Sequence, residues 1–144
     1  MIIASENAQL SLSQIGLISN GGSLFHLPRL VGPAKAKELI FAAKKVDAKE
    51  AERIGLTNKA VPAEKLDNEV DTLTKQLAEG PTVAFGMAKK IMNKGLSMDL
   101  SSVLECEASG QALAGTTEDA REGVIAFLEK RKPKFKGKQD TLPI

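Results

Sequence analysis

A chain of 144 residues, 42% apolar and 26% charged, has the size and make-up of one ordinary globular domain, long enough to bury a core and short for two. Aromatic residues make up only 3%, with no Trp or Tyr, which argues against a stacking platform for single-stranded nucleic acid or an aromatic-lined sugar cleft. The net charge of +2 hides an uneven distribution, because Lys130, Arg131, Lys132, Lys134, Lys136 and Lys138 crowd the end of the chain.

Residues 1–4 are apolar and β-branched, as a short strand requires; Ser5-Glu6-Asn7 reads as a turn, and residues 8–12 resume an alternating pattern. Further strand candidates lie around Val46 and over residues 56–61. So few strands are marginal alone, and the N-terminal part is expected to complete a sheet supplied elsewhere. Residues 16–32 join a glycine turn to a helix start. Gly21 and Gly22 permit backbone angles that a side chain forbids, and Ser23 is placed to cap a short helix carrying Leu24, Leu27, Leu30 and Val31. A helix that starts on a bare turn offers unpaired N–H groups to a carbonyl oxygen, carboxylate or phosphate; a tight loop passing a strand into a helix explains the same residues.

Pro33 opens the next helix, with Ala36, Leu39, Ile40 and Ala43 inward. Asp47-Ala48-Lys49-Glu50 has the positions of a capping box for a short helix burying Ala51 and Ile54, with Gly55 as its left-handed stop. Pro62 opens a longer helix striped by Leu66, Val70, Leu73 and Leu77. Gly80 and Pro81 end it and start another, whose inward side is Val83, Ala84, Met87, Ala88 and Ile91; the two read as a helical hairpin. Ser102-x-x-Glu105 reads as a second capping box, with Gly115 ending that helix. Thr117, followed by Glu118 and Asp119, starts the last helix, lined by Val124, Phe127 and Leu128 and stopped by Pro133.

The single cysteine, Cys106, excludes an intrachain disulfide and fits a reducing compartment, cytoplasm or mitochondrial matrix. No apolar run reaches the span of a bilayer, and Met1-Ile2-Ile3 lacks the flanks of a secretory signal.

Four stretches in fixed order carry a resemblance. They are Gly16-Leu17-Ile18 with Gly21-Gly22 and Leu27-Pro28-Arg29-Leu30-Val31-Gly32; Ala34-Lys35-Ala36-Lys37-Glu38-Leu39-Ile40; Ala48-x-Glu50-Ala51 with Gly55-Leu56-Thr57-Asn58; and Thr117-x-Asp119-x-Arg121-Glu122-Gly123 with Phe127-Leu128-Glu129-Lys130-Arg131-Lys132-Pro133. Together they resemble the crotonase superfamily, the enoyl-CoA hydratases and isomerases, over residues 4–137 and over only the C-terminal half of a typical member. The resemblance implies an α/β crotonase-like fold, here mostly helical: short N-terminal strands followed by six or seven helices. Residues 1–61 would end the crotonase-like core, 62–133 would form a helical trimerisation region, and 134–144 a flexible basic tail.

Members hold an acyl-CoA thioester carbonyl against paired backbone N–H groups that stabilise an enolate-like oxyanion, while Glu or Asp side chains move protons. By resemblance, Asn20, Gly21, Gly22 and Leu24 belong to the substrate pocket, and Phe127 and Lys130 to the CoA site. Read as residues alone, Phe127 is a core side chain and Lys130 a solvated helix-end charge. No catalytic residue and no metal ligand is assigned. Leu12 takes the place of a hydratase glutamate and Asn20 that of an isomerase acid, and neither is a carboxylate base. His26 stands where relatives carry arginine and reads as structural.

The implied activity is reversible hydration or double-bond isomerisation of acyl-CoA thioesters, impaired in the isolated chain. Coenzyme A enters as part of the substrate, without other cofactor. The implied partners are further copies of the chain, as a trimer or dimer of trimers, with neither nucleic acid nor membrane. The other reading is a non-catalytic pseudoenzyme or assembly subunit of the same fold. The basic tail could contact nucleic-acid phosphates, but it brings no recognised motif or aromatic interleaving.

Overall fold

A computed structural model describes residues 1–11 and 16–138. Contacts divide the chain into two units, Met1–Asp71 and Thr72–Ile144.

The first unit contains the four strands found among the described residues: β1 (Ile3–Ser5), β2 (Gln9–Leu10), β3 (Val46–Asp47) and β4 (Lys59–Val61). β1 runs parallel to β4 with Ile3 opposite Lys59, and β2 runs antiparallel to β3 with Leu10 opposite Val46. Parallel strands need a long crossover. Here it carries α1 (Ser23–Val31), α2 (Pro33–Phe41) and α3 (Ala48–Arg53). Asn58 fixes the start of the parallel pair: its amide donates to the Ile2 carbonyl at 2.8 Å, and its side-chain oxygen accepts the Ile2 amide at 2.6 Å. On β4 the Ala60 amide donates to the Glu52 carboxylate at 2.9 Å. The strand candidate around Val46 is thus present, and that over residues 56–61 is realised only as Lys59–Val61; each pairs with an N-terminal strand.

Leu27, Ala36, Leu39, Ile40, Val46 and Ala51 form the buried cluster, with Leu10, Val31, Ile54 and Leu56 packed against it. Asp47 caps α3 by accepting the Glu50 amide at 2.8 Å, whereas the Glu50 carboxylate turns to Arg53 and leaves the capping box half made. Gly55, at φ 77, reverses the chain after α3. Its amide donates to Glu52 and that of Leu56 to Ala51, at 3.0 and 2.8 Å, the paired bonds of a Schellman stop. Ala43 does not join the inward face of α2. It lies beyond the helix end at φ 47, a left-handed alanine.

The second unit holds α5 (Thr82–Gly95), α6 (Leu100–Gly115) and α7 (Glu118–Leu128); α4 (Leu66–Ala78) follows a 3-10 turn at Ala63–Lys65 and crosses the division between units. The helical hairpin expected of α4 and α5 is formed instead by α5 and α6. A Cβ on Gly110 would stand 3.1 Å from Ile91, so the missing side chain lets the helices approach. The cap of α6 is Asp99, which accepts the Ser102 amide at 2.8 Å, so this helix starts ahead of the expected Ser102 box. Thr117 caps α7 as expected, accepting the Ala120 amide at 3.1 Å.

Among the described residues, no helix is long and apolar enough to cross a membrane.

Candidate functional site

The turn before α1 builds the first cluster. Gly21 and Gly22 lie at φ 64 and 79. The Asn20 carbonyl accepts the Ser23 amide at 3.2 Å and the Ser23 hydroxyl at 2.8 Å. Gly22, not Ser23, occupies the cap position, and its carbonyl accepts the Phe25 and His26 amides at 3.0 and 2.9 Å. Ser23 therefore ties the turn together rather than capping the helix, and the helix start is less bare than the glycine pattern predicts. The Leu24 amide keeps no acceptor among the described residues.

Asn20, Gly21, Gly22 and Leu24 are exposed, and the same stretch exposes Leu17, Ile18, Phe25 and Leu30. Ser23, His26, Leu27 and Leu30 line an open groove of about 420 Å³ that also reaches Leu10 and Leu56. Arg29 lies 3.6 Å over the Phe25 ring and donates from Nη1 to the Phe25 carbonyl at 2.8 Å. His26 meets the edge of Phe25, at 5.1 Å between ring centres. No Asp or Glu stands between Glu6 and Glu38. The cluster thus offers apolar surface and hydrogen-bonding groups, with no carboxylate from its own stretch to move a proton. Leu12, which the resemblance sets against a hydratase glutamate, lies outside the described residues.

The end of α7 builds the second cluster. Phe127 is 83% exposed, so it is not the core residue that helical periodicity suggests. Lys130 adopts φ 53 beyond the helix end, with its amide on the Phe127 carbonyl at 3.2 Å and the Arg131 amide on the Ala126 carbonyl at 3.0 Å. This is a Schellman stop with a lysine in the place that glycine usually takes. Arg131 folds back over it. Its Nη1 and Nη2 donate to Glu122 at 2.6 and 2.9 Å, and its Nε donates to Glu129 at 2.5 Å.

The Arg131 guanidinium, with the Lys134 amide behind it, holds the Glu122 carboxyl down to about 2. The same carboxylates raise the guanidinium above its ordinary value. Much of the basic end is therefore neutralised within its own unit: Lys132 pairs with Glu79 and Lys136 with Glu118. The start of the segment expected to be a flexible tail is tied down, because the Lys134 amide donates to Glu122 and those of Lys136 and Gly137 to Asp119.

Asn20, Gly21, Gly22 and Leu24 belong to one unit, and Phe127 and Lys130 to the other. Asp119, Glu122 and Arg131 shape this end of the chain although the sequence alone assigned them no site role; all three stand within the motif from Thr117 to Pro133, the signal the sequence offered.

The family model described as enoyl-CoA hydratase/isomerase matches residues 1–138. The chain belongs to the enoyl-CoA hydratase/isomerase family. The crotonyl-CoA hydratase of Syntrophomonas wolfei is 40% identical over 135 residues, which are 92% of this chain and 52% of that protein. The short-chain-enoyl-CoA hydratase of Clostridium acetobutylicum is 38% identical over 132 residues, 90% of this chain and 51% of its own. Among solved structures, the enoyl-CoA hydratase of Bacillus anthracis superposes with a TM-score of 0.88 at 34% identity, covering 94% of this chain and 54% of that one. The chain has the mostly helical crotonase-like fold expected from the motifs. This family member spans about half the length of the curated relatives it matches.

Proposed function

We propose that this chain handles acyl-CoA thioesters as part of a crotonase-type enzyme that reversibly hydrates a 2-enoyl-CoA or shifts its double bond. The observation that carries the reading is the family match over residues 1–138, which takes in both candidate clusters. In this reading the stretch from Asn20 to Leu24 borders the acyl end of a bound thioester, and the exposed Phe127 ring and Lys130 meet the adenine and phosphates of the coenzyme A held by a neighbouring copy. Coenzyme A enters as part of the substrate. Hydration places the hydroxyl of water on C3 and its proton on C2, with charge passing through the thioester oxygen. Paired backbone N–H groups stabilise that oxygen, and carboxylates carry the protons.

Because the stretch from Asn20 to Leu24 brings no carboxylate, we read the isolated chain as slow in this reaction. Its partners are further copies of itself. Supporting this, α5 and α6 leave an apolar groove of about 640 Å³ lined by Met87, Ile91, Met92 and Leu104, and Phe85, Leu96 and Leu100 are exposed beside it in sequence. The same lack of a carboxylate favours a second reading, a non-catalytic assembly subunit of crotonase fold.

The test titrates coenzyme A into the purified chain by calorimetry, follows loss of the conjugated absorbance of crotonyl-CoA, and measures mass by light scattering. Coenzyme A binding that weakens in Phe127→Ala, with slow hydration, is the expected result. An oligomer that neither binds coenzyme A nor turns over would favour the assembly subunit. Turnover at the rates of ordinary hydratases would overturn the claim of impairment.

A further inference from the structure

We infer that Glu122 and Arg131 form a positioning clamp that holds Lys130 in its left-handed conformation, and so fixes the Phe127 and Lys130 edge that meets the nucleotide end of the ligand. The clamp rests on the coenzyme A reading above for its purpose, though not for its geometry.

A lysine at φ 53 is in a region that L side chains occupy at a cost, and such a residue persists where its surroundings over-determine it. Here both neighbours are pinned. Glu129 donates its amide to Ile125 at 2.9 Å and receives Arg131 Nε at its carboxylate. Arg131 donates its amide to Ala126 and both Nη atoms to Glu122, nine residues upstream. The guanidinium fork matches a carboxylate in two places at once, which an ammonium cannot do. Beyond it, the Lys134 amide donates to Glu122 Oε1, the oxygen that also accepts Arg131 Nη1, at 2.8 Å, so the chain leaving the turn is fastened to α7 as well.

The reversal at Lys130 is what brings Arg131 back to Glu122, and the pairing in turn holds the reversal. Its product is a specific arrangement of the two ligand-facing groups. The Lys130 amide is bonded to the Phe127 carbonyl, and the Lys130 side chain has no ion pair among the described residues while Arg131, Lys132 and Lys136 spend theirs on acids. The Lys130 cation is thus left available three residues along the chain from the exposed Phe127.

The experiment uses the full chain, with coenzyme A as the probe. Calorimetry compares wild type with Glu122→Gln, Arg131→Lys, Lys130→Ala and the double variant Glu122→Gln/Lys130→Ala. Separately, the intraresidue HN–Hα cross-peak of Lys130 in NMR, strong when φ is positive, reports the turn without any ligand. Glu122→Gln and Arg131→Lys are each expected to weaken that cross-peak and to lower affinity about tenfold, the scale of one charge-assisted contact. The double variant is expected to bind as Lys130→Ala does, because Glu122 acts through Lys130. An unchanged cross-peak in both Glu122→Gln and Arg131→Lys overturns the clamp, as does a double variant whose losses add. Should wild type not bind coenzyme A, the ligand reading fails, and the cross-peak still decides the clamp. If Glu122→Gln does not fold, Arg131→Lys, which keeps the charge and loses the fork, carries the same decision.

Discussion

Asp119 binds the chain at Gly137: its Oδ2 accepts the Gly137 amide at 2.9 Å while its Oδ1 accepts the preceding amide, of Lys136, at 2.7 Å. The carboxylate is only 3% exposed, so both bonds form away from water. Removing it leaves two amides without an acceptor, and Asp119→Ala is expected to cost about 2 kcal/mol, the scale of lost hydrogen bonds to a charged group. Thermal and urea unfolding would measure this. Gly137→Ala tests the same strap from the other side, because the added Cβ would stand 2.5 Å from Thr82 Oγ1. Comparable stability of either variant and wild type would show that the strap is idle.

Thr57 presents the opposite case. It is 4% exposed, and its hydroxyl has no hydrogen-bond partner among the described residues. An unpaired buried hydroxyl costs free energy that an isosteric methyl group does not. Thr57→Val is therefore expected to stabilise the fold by about 1 kcal/mol, seen as a raised Tm with the same helix content. A clear loss of stability would mean that the hydroxyl is satisfied in solution.

What could be read in the sequence was what depends on near neighbours. The caps at Asp47 and Thr117, the stop at Gly55 and the inward residues Ala36, Leu39 and Ile40 follow from spacings of a few positions, and all are found. Ser23 misled because a hydroxyl before a helix can cap downstream or tie the turn upstream, and only the φ 79 of Gly22 decides between them. The pairing of α5 with α6 depends on surfaces that no local pattern encodes. The link from Arg131 to Glu122 was hidden for a further reason: it requires a chain reversal at a lysine, where glycine is the residue that announces such turns.

Two left-handed positions held by side chains invite substitution by glycine. Ala43 ends α2 at φ 47 and Lys130 ends α7 at φ 53. Glycine relieves the steric cost of that conformation, so each variant is expected to stabilise the fold by about 0.5–1 kcal/mol. Their effects on ligand should part company: Ala43→Gly should leave coenzyme A affinity unchanged, whereas Lys130→Gly should lower it while raising Tm. Equal affinities in both would remove Lys130 from the ligand site.

The Glu122 carboxyl supplies a pH dependence with a definite sign. Its value in the folded chain is about 2, below the ordinary 4.5, because the Arg131 guanidinium donates to it and the Lys134 amide adds a second bond. A group whose folded value is depressed contributes stability that is complete above its unfolded value and disappears as pH falls through its folded value. The contribution of this pair should therefore be constant above about pH 4.5 and shrink between there and about pH 2. Glu122→Gln cannot titrate at this position. The difference in Tm between wild type and Glu122→Gln should thus be level from pH 7 to pH 5 and narrow steadily below, while the Lys134 amide loses protection from hydrogen exchange over the same window. Glu122 is partly exposed, so added salt should reduce the difference at neutral pH without moving the window far. A gap in Tm that stayed level down to pH 2 would show that the guanidinium does not hold this carboxylate in solution.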